Sequence, residues 1–279
     1  MSGGRGVDYD GRMADTETLV FKVEDGVGWI VLNRPEARNA LNAEMREKYL
    51  AALARCGEDA DIRAVVLTGT GKGFCTGADL SGSRAATGRE GPPHPGGTRD
   101  AMKPSQRVIR ALWDLEKPIV AAVNGVAAGL GAHLAYACDL VLAADDAKFI
   151  EVFVRRGIAL DAGGGFLLPR HLGLHKAKEL VFFGDDLSAH EAERLGLVNK
   201  VVPAAELEST ARAWAKRLAQ GPTFAIGLSK RLLNRSLQAD VDTLFAEEAF
   251  TQALVANSED MREGIRSFME KRPPVFKGR

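Results

Sequence analysis

Two glycine-rich segments about fifty residues apart constrain this chain more than anything else in it: GFCTGADL at 73–80 and NGVAAGLGAHL at 124–134. Each follows an apolar run that reads as a buried strand, RAVVLTGT at 63–70 and KPIVAAVN at 117–124. Each then enters a stretch that can be helical. A strand, a glycine turn and a helix start leave backbone N–H groups unpaired and pointing outward. Two such turns side by side aim two donors at one oxygen, which is how an oxyanion hole is built. The pattern predicts an enzyme that stabilises negative charge on a carbonyl.

Other chemistries find less support. GTGKG at 69–73 follows a strand but fits neither GxxxxGK[ST] nor GxGxxG with a helix in the right place. No GxSxG occurs, so a nucleophile elbow is excluded. The five histidines (94, 133, 171, 175 and 190) are scattered, and no His/Cys/Asp/Glu cluster has metal-ligand spacing. With 37 basic and 37 acidic residues the net charge is zero, so nothing global points to nucleic acid or to a membrane surface. Cys56, Cys75 and Cys138 form no CxxC pair and are odd in number, which fits a reducing cytosol and a cytoplasmic protein. Residues 1–14 are rich in glycine and charge without an apolar stretch, and read as a disordered lead rather than a signal peptide. Residues 118–138 carry no formal charge and have the length of a membrane span. Asn124, three glycines and His133 interrupt them, so they read as buried strand, turn and buried helix.

The rest of the chain reads as a layered α/β core with helices after it. Asp25-Gly26 between two apolar runs signals a hairpin. A helix is expected over 42–56, capped by Asn42 and stopped by Gly57. Residues 81–104, rich in Gly, Pro and Ser, read as a long mobile loop. A helix at 105–116, the strand at 118–123, a helix at 130–138 and a strand at 140–144 follow. From Ser188 onward the chain reads as wholly helical, which divides it into a core over 15–190 and a helical region over 191–279. Helices at 206–219, 223–237 and 241–256 carry apolar faces too broad for a short tail to bury, which argues for a partner subunit unless the tail folds back on its own core. No internal repeat is visible.

Two residues near the glycine turns stand out as candidates. His133 falls in the first turn of the helix after the second glycine turn, where the imidazole is favoured neutral; it either lines the site or is a packed, hydrogen-bonded helix residue. Asp161, in GIALDAGGG at 157–165, either caps the segment after it or serves as a base with its pKa raised by apolar neighbours. Asp79 reads as a helix cap.

At this point several blocks together resemble the enoyl-CoA hydratase/isomerase (crotonase) family, from about residue 19 to 279. They are NRPEARNALN (33–42), the two glycine turns, AKF (147–149), the 157–165 loop, LSAHEAERLGLVNKVVP (187–203) and EGIRSFMEKRPPVFKGR (263–279). The resemblance implies a spiral ββα core, trimers often paired into hexamers, and an acyl-CoA thioester substrate, with coenzyme A part of the substrate and no separate cofactor. It implies an oxyanion hole from the N–H groups of Ala78 and Leu130. It also implies coenzyme A contacts at Ala37, Arg38, Ala40, Ala78, Asp79, Leu80, Leu130, Phe276 and Lys277, the basic end of the chain meeting phosphates of its own subunit's site or of a neighbour's.

Hydratases of the family use two glutamates, and these fall at His133 and Phe153 here. Glu151, on the same strand face two residues before Phe153, would be displaced by about 6–7 Å and is a weak substitute. Asp161 matches the position where the isomerases place an aspartate, and GIALDAGG looks most similar to the ring-1,2-epoxyphenylacetyl-CoA isomerase branch. A single carboxylate can move a proton between two carbons, whereas adding water calls for a second group. The reading is therefore an isomerase with Asp161 as base and His133 orienting or polarising. The alternatives are a hydratase with atypical residues and a non-catalytic acyl-CoA binder.

Overall fold

The structure, a computed structural model, describes residues 17–81 and 95–279. It opens with an antiparallel hairpin, β1 (Leu19–Glu24) and β2 (Val27–Leu32). Asp25 and Gly26 join them with φ of 51° and 76°, the geometry whose twist matches the flanking strands. Helix α1 (Ala43–Glu58) starts on Asn42, whose side chain accepts from the Met45 N–H. It runs through Gly57 and ends on Asp59, so Gly57 is not its stop.

Three strand pairs come next, each trailed by helix. β3 (Ala64–Gly69) and β4 (Gly73–Cys75) lead to α2 (Pro95–Ala101) and α3 (Lys103–Asp114). β5 (Ile119–Val123) and β6 (Val126–Ala128) lead to α4 (Leu130–Ala137). β7 (Leu140–Ala144) and β8 (Lys148–Ile150) lead to α5 (Gly164–Leu172) and α6 (Leu174–Phe183). Within each pair the first strand joins a six-stranded sheet and the second a four-stranded one. The chain then adds β9 (Asp186–Ser188), α7 (Ala189–Arg194), β10 (Lys200–Val202) and the helices α8 (Leu207–Ala219), α9 (Thr223–Ser236), α10 (Val241–Val255) and α11 (Glu259–Met269). The large sheet has the order β1-β2-β3-β5-β7-β10 and the small one β4-β6-β8-β9. All neighbours are parallel except β1–β2 and β8–β9.

The ββα unit therefore recurs in space although the sequence shows no repeat. Its second strands are three residues long, too short to display a period of two. The same brevity hid β10, which sits in the stretch expected to be wholly helical and pairs with β7. β3 and β5 read as unbroken apolar runs because helices and the second sheet cover both faces. Helix α8 lies across β3, β5 and β7, burying Leu207, Ala211, Ala215 and Ala219 at four-residue spacing. By contrast α10 buries no side chain, and Phe245, Phe250 and Leu254 stand exposed on it.

Residues 1–14 and most of the expected loop, 82–94, lie outside the described residues. The last part of that loop is not loop: α2 covers Pro95–Ala101, and Pro104 in its first turn starts α3 at Lys103. The uncharged run divides into β5, β6 and α4 as expected. Among the described residues no helix is long and apolar enough to cross a membrane.

Candidate active site

The two glycine turns lie against each other, backbone to backbone. A Cβ on Gly125 would sit 2.9 Å from the carbonyl carbon of Lys72, and one on Gly131 would sit 2.6 Å from that of Cys75. One on Gly77, at φ +95°, would be 3.0 Å from the Ala128 oxygen and 3.5 Å from the Leu130 nitrogen. Only residues without a side chain allow this approach.

The approach leaves two donors free. Leu41 pairs with Ala78 as in a parallel ladder: the Leu41 N–H donates to Gly77 O (2.8 Å) and the Asp79 N–H to Leu41 O (3.0 Å). The flanks of Ala78 thus face Leu41, and its own N–H points the other way. Leu130 is the first residue of α4, so its N–H has no partner within the helix. Gly129 before it holds φ 53° and ψ −124°. Neither N–H donates to any backbone acceptor among the described residues. Two adjacent free donors, one at a helix N-terminus, can hold an anionic oxygen.

Residues 33–42 wrap over the first turn. Buried Asn39 donates to Thr70 O (2.9 Å) and Gly73 O (2.7 Å) and accepts from the Arg34 N–H (2.8 Å). Arg34 in turn donates to Ala40 O (2.7 Å) and to Asp79 Oδ2 (2.8 Å). Ala37, Arg38, Ala40, Ala78, Asp79 and Leu80 are thereby gathered beside one turn. Among the described residues Asp79 caps no helix; its other oxygen accepts from the Ser81 N–H (2.9 Å). Hydrogen bonds from Ser81, then from Arg34, hold its carboxyl down at about 2. Sequence reasoning missed Arg34 and Asn39 as the clamp. A positive φ of 57° at Asn39 has no signature beyond the residue type.

Below the turns the side chains of three elements meet. His133 of α4 is fully buried; Nε2 faces Glu151 Oε2 at 3.0 Å and Nδ1 faces Ala162 O at 3.1 Å. Phe153 stacks on the imidazole at 5.5 Å and 16°. The strand β8 ends at Ile150, so Glu151 and Phe153 are not strand mates, and the carboxyl swings to His133. His133 is accordingly a packed, doubly hydrogen-bonded residue.

Asp161 is half-buried, and its side chain caps nothing: α5 is capped by Gly163, and only the Asp161 carbonyl is used, accepting from the Gly164 N–H. Burial raises its carboxyl, the His133 ring pulling partly the other way. Beneath the first turn the buried Cys75 thiol is pushed up to about 12 by burial, so it is no nucleophile. Among the described residues no group of His, Cys, Asp and Glu is arranged to hold a metal.

Phe276 and Lys277 are elsewhere in the chain. Phe276 O accepts from Arg63 Nη1 (3.1 Å), and the Lys277 N–H donates to Asp260 (2.6 Å) while its ammonium meets Glu259 (3.2 Å). Arg63 precedes β3 and the glycine turn follows it, so about 20 Å of strand separates the two places. The basic end cannot reach the turns of its own chain.

This fold and site define a class. The profile of the enoyl-CoA hydratase/isomerase family matches residues 22–279. The chain is similar to the 1,2-epoxyphenylacetyl-CoA isomerase of Escherichia coli, 40% identical over 94% of this chain and 99% of that one. It is also similar to the short-chain-enoyl-CoA hydratase of Clostridium acetobutylicum, 36% identical over 92% and 97%. The crystal structure of an enoyl-CoA hydratase/isomerase from Cupriavidus metallidurans superposes with a TM-score of 0.87 at 38% identity, covering 95% of this chain and 98% of that one. The chain belongs to the enoyl-CoA hydratase/isomerase family and has its crotonase fold.

Proposed function

We propose that the protein is an acyl-CoA isomerase that shifts a double bond, or an equivalent group, through an enolate. The thioester oxygen takes the N–H groups of Ala78 and Leu130 as donors. Asp161 removes a proton from one carbon of the acyl chain, charge develops on the oxygen, and Asp161 returns the proton to another carbon. Nothing is consumed, so no cofactor is called for. One observation carries the reading: among the described residues, Asp161 is the carboxylate beside the glycine turns without a side-chain partner. Asp79 is held by Arg34 and Ser81, and Glu151 by His133.

A groove of about 610 Å³ between α3 and α5 supports an apolar acyl moiety. It begins at Gly163, two residues past Asp161; Ile109, Trp113, Phe166 and Leu167 form its apolar wall, and Lys103, Arg107 and Arg110 of α3 also line it. The clamp region, Ala37, Arg38, Ala40, Asp79 and Leu80, suits the nucleotide end of coenzyme A. Phe276 and Lys277 would join it from a second copy, in the homotrimer or hexamer that the exposed faces of α10 and α11 favour.

The test is proton exchange in D₂O with a panel of 2-enoyl-, 3-enoyl- and saturated acyl-CoA esters. Deuterium at the α or γ carbon that disappears in Asp161→Asn supports the isomerase. The hydratase name of the Clostridium relative keeps a second reading alive: a 3-hydroxyacyl product from a 2-enoyl ester, formed equally well by Asp161→Asn, would favour it. Tight binding with neither exchange nor product would leave a non-catalytic binder.

A further inference from the structure

The contacts of His133 fix how many protons it and Glu151 can hold. Nδ1 faces the Ala162 carbonyl at 3.1 Å, and a carbonyl can only accept, so Nδ1 carries a hydrogen. Nε2 faces Glu151 Oε2 at 3.0 Å. With no proton there, two lone pairs would oppose each other in a site where both side chains are almost fully buried. With two, both would be donors with no acceptor between them. One proton satisfies the contact, whether it rides on nitrogen or on oxygen. An imidazolium facing a carboxylate and an imidazole facing a carboxylic acid both sum to zero charge.

Among the described residues no other cation bonds to the pair: Glu151 Oε1 is buried without a hydrogen-bond partner there, so none of their lysines or arginines compensates the carboxyl. Among the described residues, the titratable groups near the pair include Tyr136 on α4, Cys75 on β4, Asp161 before α5 and His171 on α5. The last bonds the Tyr136 carbonyl. Burial pushes the Tyr136 phenol and the Cys75 thiol upward, so both stay neutral. The helix α3 buries Val108, Ile109 and Leu112, and its Lys103, Arg107 and Arg110 line the groove that begins at Gly163 without bonding to the pair. The ring is closely packed: Phe153 stacks on it, and it lies so near Gly164 that a Cβ there would be 2.5 Å from Nε2.

We propose that His133 and Glu151 are one positioning unit with a single shared proton and no net charge, which pins the Asp161 loop through the Ala162 carbonyl. The proposal rests on the reading of Asp161 as base for its functional meaning, though not for its chemistry. The two positions where hydratases carry glutamates, His133 and Phe153, thereby serve here as a neutral clamp and its stacking lid.

The decisive measurement is ¹⁵N NMR of the histidine rings in the full-length protein, with His133 assigned by loss of its signals in His133→Gln. The expected spectrum has Nδ1 protonated and ring shifts flat from about pH 5 to 9, across the range where a free histidine titrates. A ring that titrates in that window, or an Nδ1 without a proton, overturns the proposal. Two variants read the positioning role. In Glu151→Gln the amide can still donate to Nε2, so the ring stays flat and the acid limb of the D₂O exchange profile keeps its midpoint. In Glu151→Leu the donor is gone, His133 becomes free to charge, and the limb moves down by on the order of one pH unit as the new cation favours the Asp161 carboxylate. Identical limbs in the two variants would refute the coupling. Should Glu151→Leu fail to fold, the wild-type spectrum and Glu151→Gln still decide. A flat ring together with full exchange in Asp161→Asn would sink the base while leaving the pair intact.

Discussion

Replacing Gly131 by alanine should damage activity far more than stability. The added Cβ would lie 2.6 Å from the carbonyl carbon of Cys75, and nearer still to its oxygen. Both atoms belong to the first glycine turn, and Gly131 directly follows Leu130, so relief of the clash drives the two donors apart by on the order of 1 Å. A misplacement of that size costs about 10²-fold in a preorganised site. Stability changes less. Overpacking costs about 1–3 kcal/mol, and alanine in a helix returns ~0.5–1 kcal/mol relative to glycine. A net loss of roughly 1–2 kcal/mol lowers the melting temperature by only a few degrees in a chain of this size. The control is Gly165→Ala in α5, where the nearest atom would be 3.9 Å away, at ordinary contact distance. The assays are proton exchange on an acyl-CoA ester and calorimetric melting, run on the same preparations. A folded Gly131→Ala protein with undiminished exchange would show that the contact between the turns does not set the chemistry.

Because burial raises the Asp161 carboxyl, the acid limb of kcat/KM should fall above the ordinary aspartate value of about 3.9. The sign for stability is the opposite of the usual carboxylate case: a raised folded-state pKa gives a contribution present at low pH and lost as pH rises through it. Asp161→Asn should therefore lose turnover while melting no lower than wild type at neutral pH, and a clear drop in melting temperature would contradict this. Lys230 of α9 donates to Asp139 Oδ2 at 2.9 Å, and burial already raises the Asp139 carboxyl against the pull of that cation. Lys230→Met should cost ~3 kcal/mol in denaturant unfolding by stranding the carboxylate, and Asp139→Asn on top should recover part of it. Phe250 and Phe268 are 76% and 81% exposed. Glutamate at both should convert an oligomer into monomers by light scattering, and an unchanged mass would remove these faces from any interface.

The sequence exposed the parts of the site that rest on backbone rules. Glycine turns after apolar runs, the Asn42 cap and the Asp25-Gly26 hairpin each follow from local conformational preference, and all are present. The 33–42 block was recognisable as a motif, yet nothing in it marks Asn39 as the residue that ties it down. Strands of three residues left no period to read, so the second sheet stayed invisible. Glu151 was misjudged for a related reason: strand geometry was extended past Ile150, where the chain turns and sends the carboxyl to His133. Its pairing depends on residues 18 positions apart, which no local pattern encodes. The same limit applies to the chain end, where Arg272, Lys277 and Arg279 look free in the sequence and are matched by Glu259, Glu263 and Glu270 in the fold.

The attachment of that end to Arg63 says something about the order in which the molecule can be completed. Both sheets run their strands in order of synthesis, so each new strand finds its neighbour already made. Growth of the core can keep pace with the emerging chain. Arg63 waits longer. Its guanidinium has three acceptors, Gly221 O, Thr223 Oγ1 and Phe276 O, the last 213 residues downstream. Until residue 276 is made, the end of the sheet where β3 begins holds a partly desolvated cation lacking one of its three acceptors. That closure therefore reports that synthesis has passed residue 276, and a chain released before it would carry an unmatched donor for quality control to find.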